Sequence, residues 1–505
     1  MTVLSSARLL GAATLALFAL PAAAQHRPRP DTTNRSCTPE HAAMGHCTMP
    51  AEVSSCTPEH AAMGHCTMPS SEACAMPGGM DSMESCPMHA SMTHGGGATT
   101  LPSAPMTRDA SGTSWNPDAS PMEALHGTLG GWTTMLHGAA SPRITAQDVF
   151  DAGSRGATKF SLPNWAMASA HRPIGAAHLT LRAMLSLDPL TEGKRGYPLL
   201  FQTGEAVGGA PLVDEQHPHD LIPELSATVA VPVGETSSVF GYVAYPGEPA
   251  IGPTAFMHRP SARTLPDAPL SHHWQDATHI VFGVATLGAV VGPVKLDASL
   301  FTGREPDEDR YMFDRARFDS YSGRVTFAPN ANWTMQASAG FIRSPEALHE
   351  DLDIVRTTAS VIYARPTPTG VLTGALVWGY NAARENGEAT DDHSGHSLLA
   401  EADLARGPFN VFGRAELVQK GADELNVTLP GNAHGHALNV GALTLGAART
   451  VAHFGVAKAQ LGASGTVYAV PTEVRSAYGD FPVSAQAFLR IVLDGGSSGH
   501  AGMNH

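Results

Sequence analysis

The sequence predicts an all-β protein, an antiparallel transmembrane β-barrel of about 14 strands, within roughly 12 to 16, preceded by a disordered metal-binding tail. Three observations predict it. From Gly130 to Asp494 apolar and polar residues alternate in segments of about ten residues, the period of strands. Tight links alternate with longer ones along the same stretch, and the chain opens on an export signal.

The signal comes first. Arg8 precedes an apolar run from Leu9 to Leu20, and Pro21-Ala22-Ala23-Ala24 offers an Ala-x-Ala cleavage site, so residues 1–24 read as a secretory signal peptide. The run falls short of the ~20 apolar residues that a membrane helix needs. Later, Ile280 to Val294 is the nearest apolar stretch, and Gly283, Gly288 and Gly292 break it. A net charge of -15 excludes nucleic acid as a partner and suits attraction of cations.

Residues 25–97 form the tail. All six cysteines lie there, and a 15-residue unit from Ser36 to Pro50 recurs letter for letter from Ser55 to Pro69. From Ser36 to Gly97 there is no Lys, Arg, Ile, Leu, Phe, Trp or Tyr, so little apolar surface offsets chain entropy. The ligating residues are Cys37, His41, Met44, His46, Cys47 and Met49 in the first unit and Cys56, His60, Met63, His65, Cys66 and Met68 in the second. Cys74, Met76, Cys86, Met88, His89, Met92 and His94 follow.

Thioether, thiolate and imidazole make a soft donor set, and methionine discriminates, because zinc sites rarely use it. Copper, favoured as Cu(I), is therefore the expected metal, with silver or zinc as other guests. Each unit places several ligands within six residues, so no fold is needed to gather an ion. A disulfide-stapled spacer and a plain low-complexity linker remain alternatives for this segment.

Residues 98–129, rich in Pro, Ser, Thr and Ala, read as a linker, with a short helical piece around Pro121 to Leu129. Residues 130–494 are the barrel. In Ala177 to Asp188 one face is apolar (Leu179, Leu181, Leu185, Leu187) and the other carries Thr180, Arg182 and Asp188. Phe409 to Lys420 and Ala485 to Asp494 repeat the pattern, with Phe412, Val418, Phe488 and Val492 as intruders on the polar face. Val291-Gly-Pro-Val294, Pro329-Asn-Ala-Asn332 and Pro366-Thr-Pro-Thr-Gly370 read as tight links, and Asn381 to Ser397 as a long one. Residues 495–505 form a C-terminal extension.

The tail resembles the periplasmic N-terminal region of outer-membrane proteins of the copper-resistance protein B type, which join a Met/His-rich segment to a barrel. The body, with Ser161-Leu-Pro-Asn-Trp165, His217-Pro-His-Asp220, Gly247 to Arg259 and His272-His-Trp-Gln-Asp-Ala-Thr-His279, resembles a group of outer-membrane proteins, which implies a barrel but no particular activity. The resemblance implies an outer-membrane location, a periplasmic tail, copper resistance, and periplasmic copper-handling proteins as partners beside metal ions and lipid.

In the body, polar proline-containing blocks hold His217, His219, Asp220, Met257, His258, His272, His273 and His279, a candidate lumenal or rim metal site. Ordinary polar lumen and loop residues are the alternative. No nucleophile elbow, phosphate-binding loop or zinc-protease helix is present, so no enzyme is expected. Three functions are weighed: a copper-handling barrel that captures metal in the periplasm for sequestration or export, a general channel or adaptor whose tail is an incidental buffer, and, least favoured, an outer-membrane enzyme of the lipid or polysaccharide kind.

Overall fold

The computed structural model describes residues 97–429 and 437–495, so the calls on the signal peptide, the tail ligands Cys37 to His94 and the extension beyond Gly495 lie outside the described residues. The strands, in chain order, are β1 (Ala124–Leu129), β2 (Trp132–Ala140), β3 (Arg143–Gln147), β4 (Ala157–Ser161), β5 (Asn164–Ile174) and β6 (Ala177–Leu185). Four short ones follow, β7 (Tyr197–Pro198), β8 (Ala206–Val207), β9 (Ala210–Pro211) and β10 (Glu215–Gln216). Then come β11 (Glu224–Pro232), β12 (Ser237–Ala244), β13 (Val284–Val291), β14 (Val294–Phe301), β15 (Ser320–Asn330), β16 (Trp333–Ile342) and β17 (Leu352–Thr367). The last are β18 (Gly370–Glu385), β19 (Glu388–Arg406), β20 (Phe409–Lys420), β21 (Leu438–Phe454), β22 (Ala457–Ala469) and β23 (Val483–Leu493).

Apart from the two small ribbons β7/β10 and β8/β9, all strands join one antiparallel sheet of 19. It closes on itself. β23 pairs with β2 at Ala139 and Ala140 and with β3 from Arg143 to Ala146, so β2 and β3 are one stave interrupted at Ser141-Pro142. On the neighbouring stave Pro163 separates β4 from β5 in the same way, since proline has no N–H for the ladder. With β1 docked beside β2, the wall is a closed transmembrane barrel of 16 strands.

Sixteen corrects the expected count of about 14. Two features hide strands from an alternation count. In β12 the buried Phe240 and Tyr242 oppose the outward Val239 and Val243, so both faces are apolar. The expected long link from Asn381 to Ser397 is instead strand on both sides of a tight turn, with Glu385 opposite Glu388. Asn386 and Gly387 both take positive φ there, the requirement that makes Asn-Gly a hairpin signal.

The tight links fall as expected, with two residues at Gly292-Pro293, Ala331-Asn332 and Pro368-Thr369, while the long connections lie at 186–223, 245–283 and 302–319. Side-chain direction also follows the alternation. Leu181 is 41% and Val411 59% exposed on the lipid side, while Arg182, Arg414 and Glu416 are buried inward. Phe412, Val418, Phe488 and Val492 face inward too, and the first three pack against loops that fill the lumen.

Besides the 186–223 connection, whose Tyr197, Leu199, Leu200 and Phe201 are buried in one cluster with Val418, Val440 and Tyr468, two segments fill the lumen. The loop 245–283 crosses the interior, where Arg259 pairs with Glu401 and Arg263 with Asp403 of β19, Asp267 pairs with Arg143, and Gln275 donates to Ser397. The stretch from Gly97 to Glu123, read from composition as a linker, is packed inside as well. Trp115 is buried with Lys295 over its ring at 4.7 Å, Thr113 donates to Asp297 at 2.6 Å, and Arg182 donates to the Ala110 carbonyl at 2.7 Å. Lumenal charges need partners, and this segment's backbone and hydroxyls supply them. The helical piece expected after Pro121 is the strand β1, which turns into β2 through Gly130-Gly131, both at positive φ.

Candidate metal centre

Two long loops on the same side of the barrel carry the histidines. A four-residue helix, His272–Gln275, sits in the loop between β12 and β13, and its first turn presents His272 and His273. The backbone of His273 is held by Arg356 at 2.7 Å and Asn381 at 3.1 Å, both donating to its carbonyl. His217 arrives from the loop between β6 and β11. The ligating atoms of His217, His272 and His273 lie within 4.8 Å of one another.

Their surroundings favour the ligating form. His272 Nδ1 is 2.7 Å from Asp276 Oδ1, so the N–H of that nitrogen donates to the carboxylate and Nε2 is left with its lone pair. His273 Nε2 is buried without a hydrogen-bond partner, and its Nδ1 is 3.7 Å from Glu305. His217 Nδ1 lies 3.2 Å from the Pro218 carbonyl, and its Nε2 is 3.1 Å from Glu205. Burial, with Arg310 and the two neighbouring imidazoles, holds His217 well below the ordinary histidine range. Burial lowers His272 too, against the pull of Asp276. Asp276 itself stays ionised: burial opposes its charge, but His272 and Arg259 outweigh that and bring it to about 2. Burial therefore favours the neutral, ligating form of His217 and His272.

The carboxylates extend outward. Burial, reinforced by Glu305 and Asp220 and opposed by Arg310, pushes Glu205 up to about 8. Glu205 and Glu305, each beside one of the three histidines, also line a cavity of about 450 Å³ among the long loops. Its walls carry more carboxylates than arginines, with Asp307, Glu308, Asp314 and Glu346 against Arg304, Arg315 and Arg317. Burial pushes Glu346 up to about 8 as well, so at neutral pH the charge of these walls comes from the remaining carboxylates and the arginines.

The other sequence candidates go elsewhere. His279 stands next to the trio, its ring 5.1 Å from that of His272, with burial and the adjacent histidines bringing it to about 3. His219 bonds Asp188 at 2.8 Å and is stacked on Phe256, which separates it from His272. Asp220 pairs with Arg310, and of the two carboxylates expected beside the imidazoles it is Asp276 that bonds one of the trio, His272. His258 lines a different cavity, against Trp165 and His137, and Met257 borders both that cavity and another that His217 and His219 line.

Sequence reading missed a second group. Glu346, His349 and His393 bring ligating atoms within 4.8 Å, and the two rings are 4.6 Å apart. His393 lies in the strand extension that had been read as a loop, so nothing in the sequence set it opposite His349.

In fold, the barrel is similar to solved outer-membrane proteins. One is Salmonella typhi OmpF in complex with daunomycin, at 10% identity over 73% of this chain and 99% of that one, with a TM-score of 0.45. Another is an anion-selective porin from Comamonas acidovorans, at 9% identity over 72% and 99% and a TM-score of 0.43. A third is the loop L8 deletion mutant of OmpT, an outer-membrane protein of Vibrio cholerae, at 7% identity over 72% and 99% and a TM-score of 0.43. No protein-family profile and no curated protein matches the sequence.

Proposed function

We propose that the protein is an outer-membrane channel whose cargo is transition-metal cations, with copper captured by the periplasmic tail and held in the lumen by His217, His272 and His273. The convergence of these three imidazoles from two loops carries the reading, because imidazole suits copper and zinc and the buried Nε2 of His273 has no other partner. The acid-rich cavity supplies an approach. The tail's Met/Cys/His set and its likeness to the copper-resistance protein B type support copper as the metal that matters. Periplasmic copper-handling proteins are the fitting partners.

Crystals of the full chain soaked in Cu(II) or Zn(II) should show anomalous density between these three rings. The paired substitution His217→Ala and His272→Ala should remove it without preventing barrel assembly. No density at neutral pH would overturn the lumenal part of the proposal. A second reading is a general channel with an incidental tail, and the closed 16-stranded wall with its polar lumen favours it over the copper reading.

A further inference from the structure

A second lumenal cavity, of about 110 Å³, lies where β2 and β5 face the N-terminal segment. Its donors are of another kind. Met135 and His137 come from the same face of β2, Met167 from β5, Met122 from the segment leading out of the tail, and Met257 and His258 from the loop that crosses the lumen. His137 and Met167 are direct cross-strand partners, a register that sets their Cβ atoms about 5 Å apart. The His137 and His258 rings are 5.6 Å apart, and Trp165 packs against both, at 5.1 and 4.8 Å.

Methionines alone would be ordinary packing. The second observation is that His137 Nε2 is buried inside this thioether wall with no hydrogen-bond partner, which is costly unless something else binds it. His171, the other histidine at the cavity, has both ring nitrogens engaged, by Ser169 at 3.1 Å and Thr180 at 2.9 Å. The arginines that line the cavity are already paired: Arg182 with Glu224, Arg259 with Glu401, Arg263 with Asp403 and Arg490 with Glu123. A small cavity with thioether and imidazole donors and little free charge suits a soft monovalent ion.

We infer that this cavity binds Cu(I) inside the barrel, through His137 and two or three further donors drawn from Met122, Met135, Met167, Met257 and His258, at a site separate from the three-histidine centre. Met122 lies on the chain that leaves the Met-rich tail, so this site is the first lumenal one along the sequence from it. The inference leans on the proposed function only for the supply of copper, and adding the ion directly tests the site without that supply.

The test uses the full chain in detergent and Ag(I) as a redox-stable stand-in for Cu(I). Residues 36–97 contain no tryptophan, so the tail binds silver without touching the emission. Once the tail is filled, further silver should quench the part of the fluorescence that Trp165→Phe removes. Met135→Leu with Met167→Leu should raise the silver needed by roughly tenfold, and His137→Phe should abolish the response, both in barrels that keep heat-modifiable gel mobility. Silver-soaked crystals should show an anomalous peak beside Met167. Quenching that is absent, or unchanged by these substitutions, or crystals with no peak there, would overturn the site. Cu(II) or Zn(II) density at His217, His272 and His273 would stand or fall separately.

Discussion

Asp276 shows how much one residue decides at the three-histidine centre. Its carboxylate takes the Nδ1–H of His272 at 2.7 Å and also lies 3.4 Å from Arg259. Asp276→Asn keeps the shape and loses the charge, so the His272 ring is no longer held in one tautomer. Partners of this kind contribute about 10- to 100-fold in metal affinity. The expected outcome is a loss of that size for Zn(II) at this centre, read by competition with a chelator, with Ag(I) quenching of Trp165 unchanged. A loss of both signals would mean that the substitution disturbs the lumen generally, through Arg259. Replacing Asp276 by Glu should restore part of the affinity, because the charge returns at a different reach.

At the scale of an element, β6 separates two solvents with adjacent residues. Leu181, the middle residue of this nine-residue strand, faces lipid, while Arg182 points inward to Glu224 at 3.2 Å. An arginine is thus welcome at one position and costly at the next. Leu181→Arg should destabilise the barrel by about 2–4 kcal/mol near the bilayer midplane, measured by denaturant unfolding in lipid. A change near zero would place this face against protein or water. The same logic explains why Phe412 and Phe488 looked like defects in a polar face. They point into a lumen that the crossing loop has made partly dry, where Leu265 packs with them.

For the whole molecule, a closed wall predicts that the unboiled protein migrates differently from the boiled one in gels, since no strand edge is free to unzip. Recovery as a soluble monomer without detergent would contradict it. The function of the assembled chain separates the two readings above. Deleting residues 36–97 should lower copper tolerance if the tail feeds the lumen, with assembly unaffected. Tolerance equal to that of the parent would favour the general channel. The segment from Ala98 to Glu123 should be left in place, because Thr113 and Trp115 meet Lys295 and Asp297 inside the barrel.

What the sequence determined by itself was local in character. Alternation with period two fixed that Leu181 and Val411 face out and Arg182 and Arg414 face in, because a strand allows only two directions. Turn chemistry fixed the tight links at Gly292-Pro293 and Pro368-Thr369, and the choice of donor atoms made copper the expected metal. Asn386-Gly387 carries a hairpin signal, but the polar residues around it make the stretch from Asn381 to Ser397 read as one long link. Only the tertiary structure decided which ligands meet. His217 and His272 come from loops joined to different strands, and no spacing announces that they converge. His137 acquires Met167 as a partner through the β2–β5 register, and Met257 and His258 join them because their loop folds inward instead of outward. Burial of the 97–123 segment was decided at the same level, since its polar composition gives it no reason to leave water until the charges of the lumen are there to be satisfied.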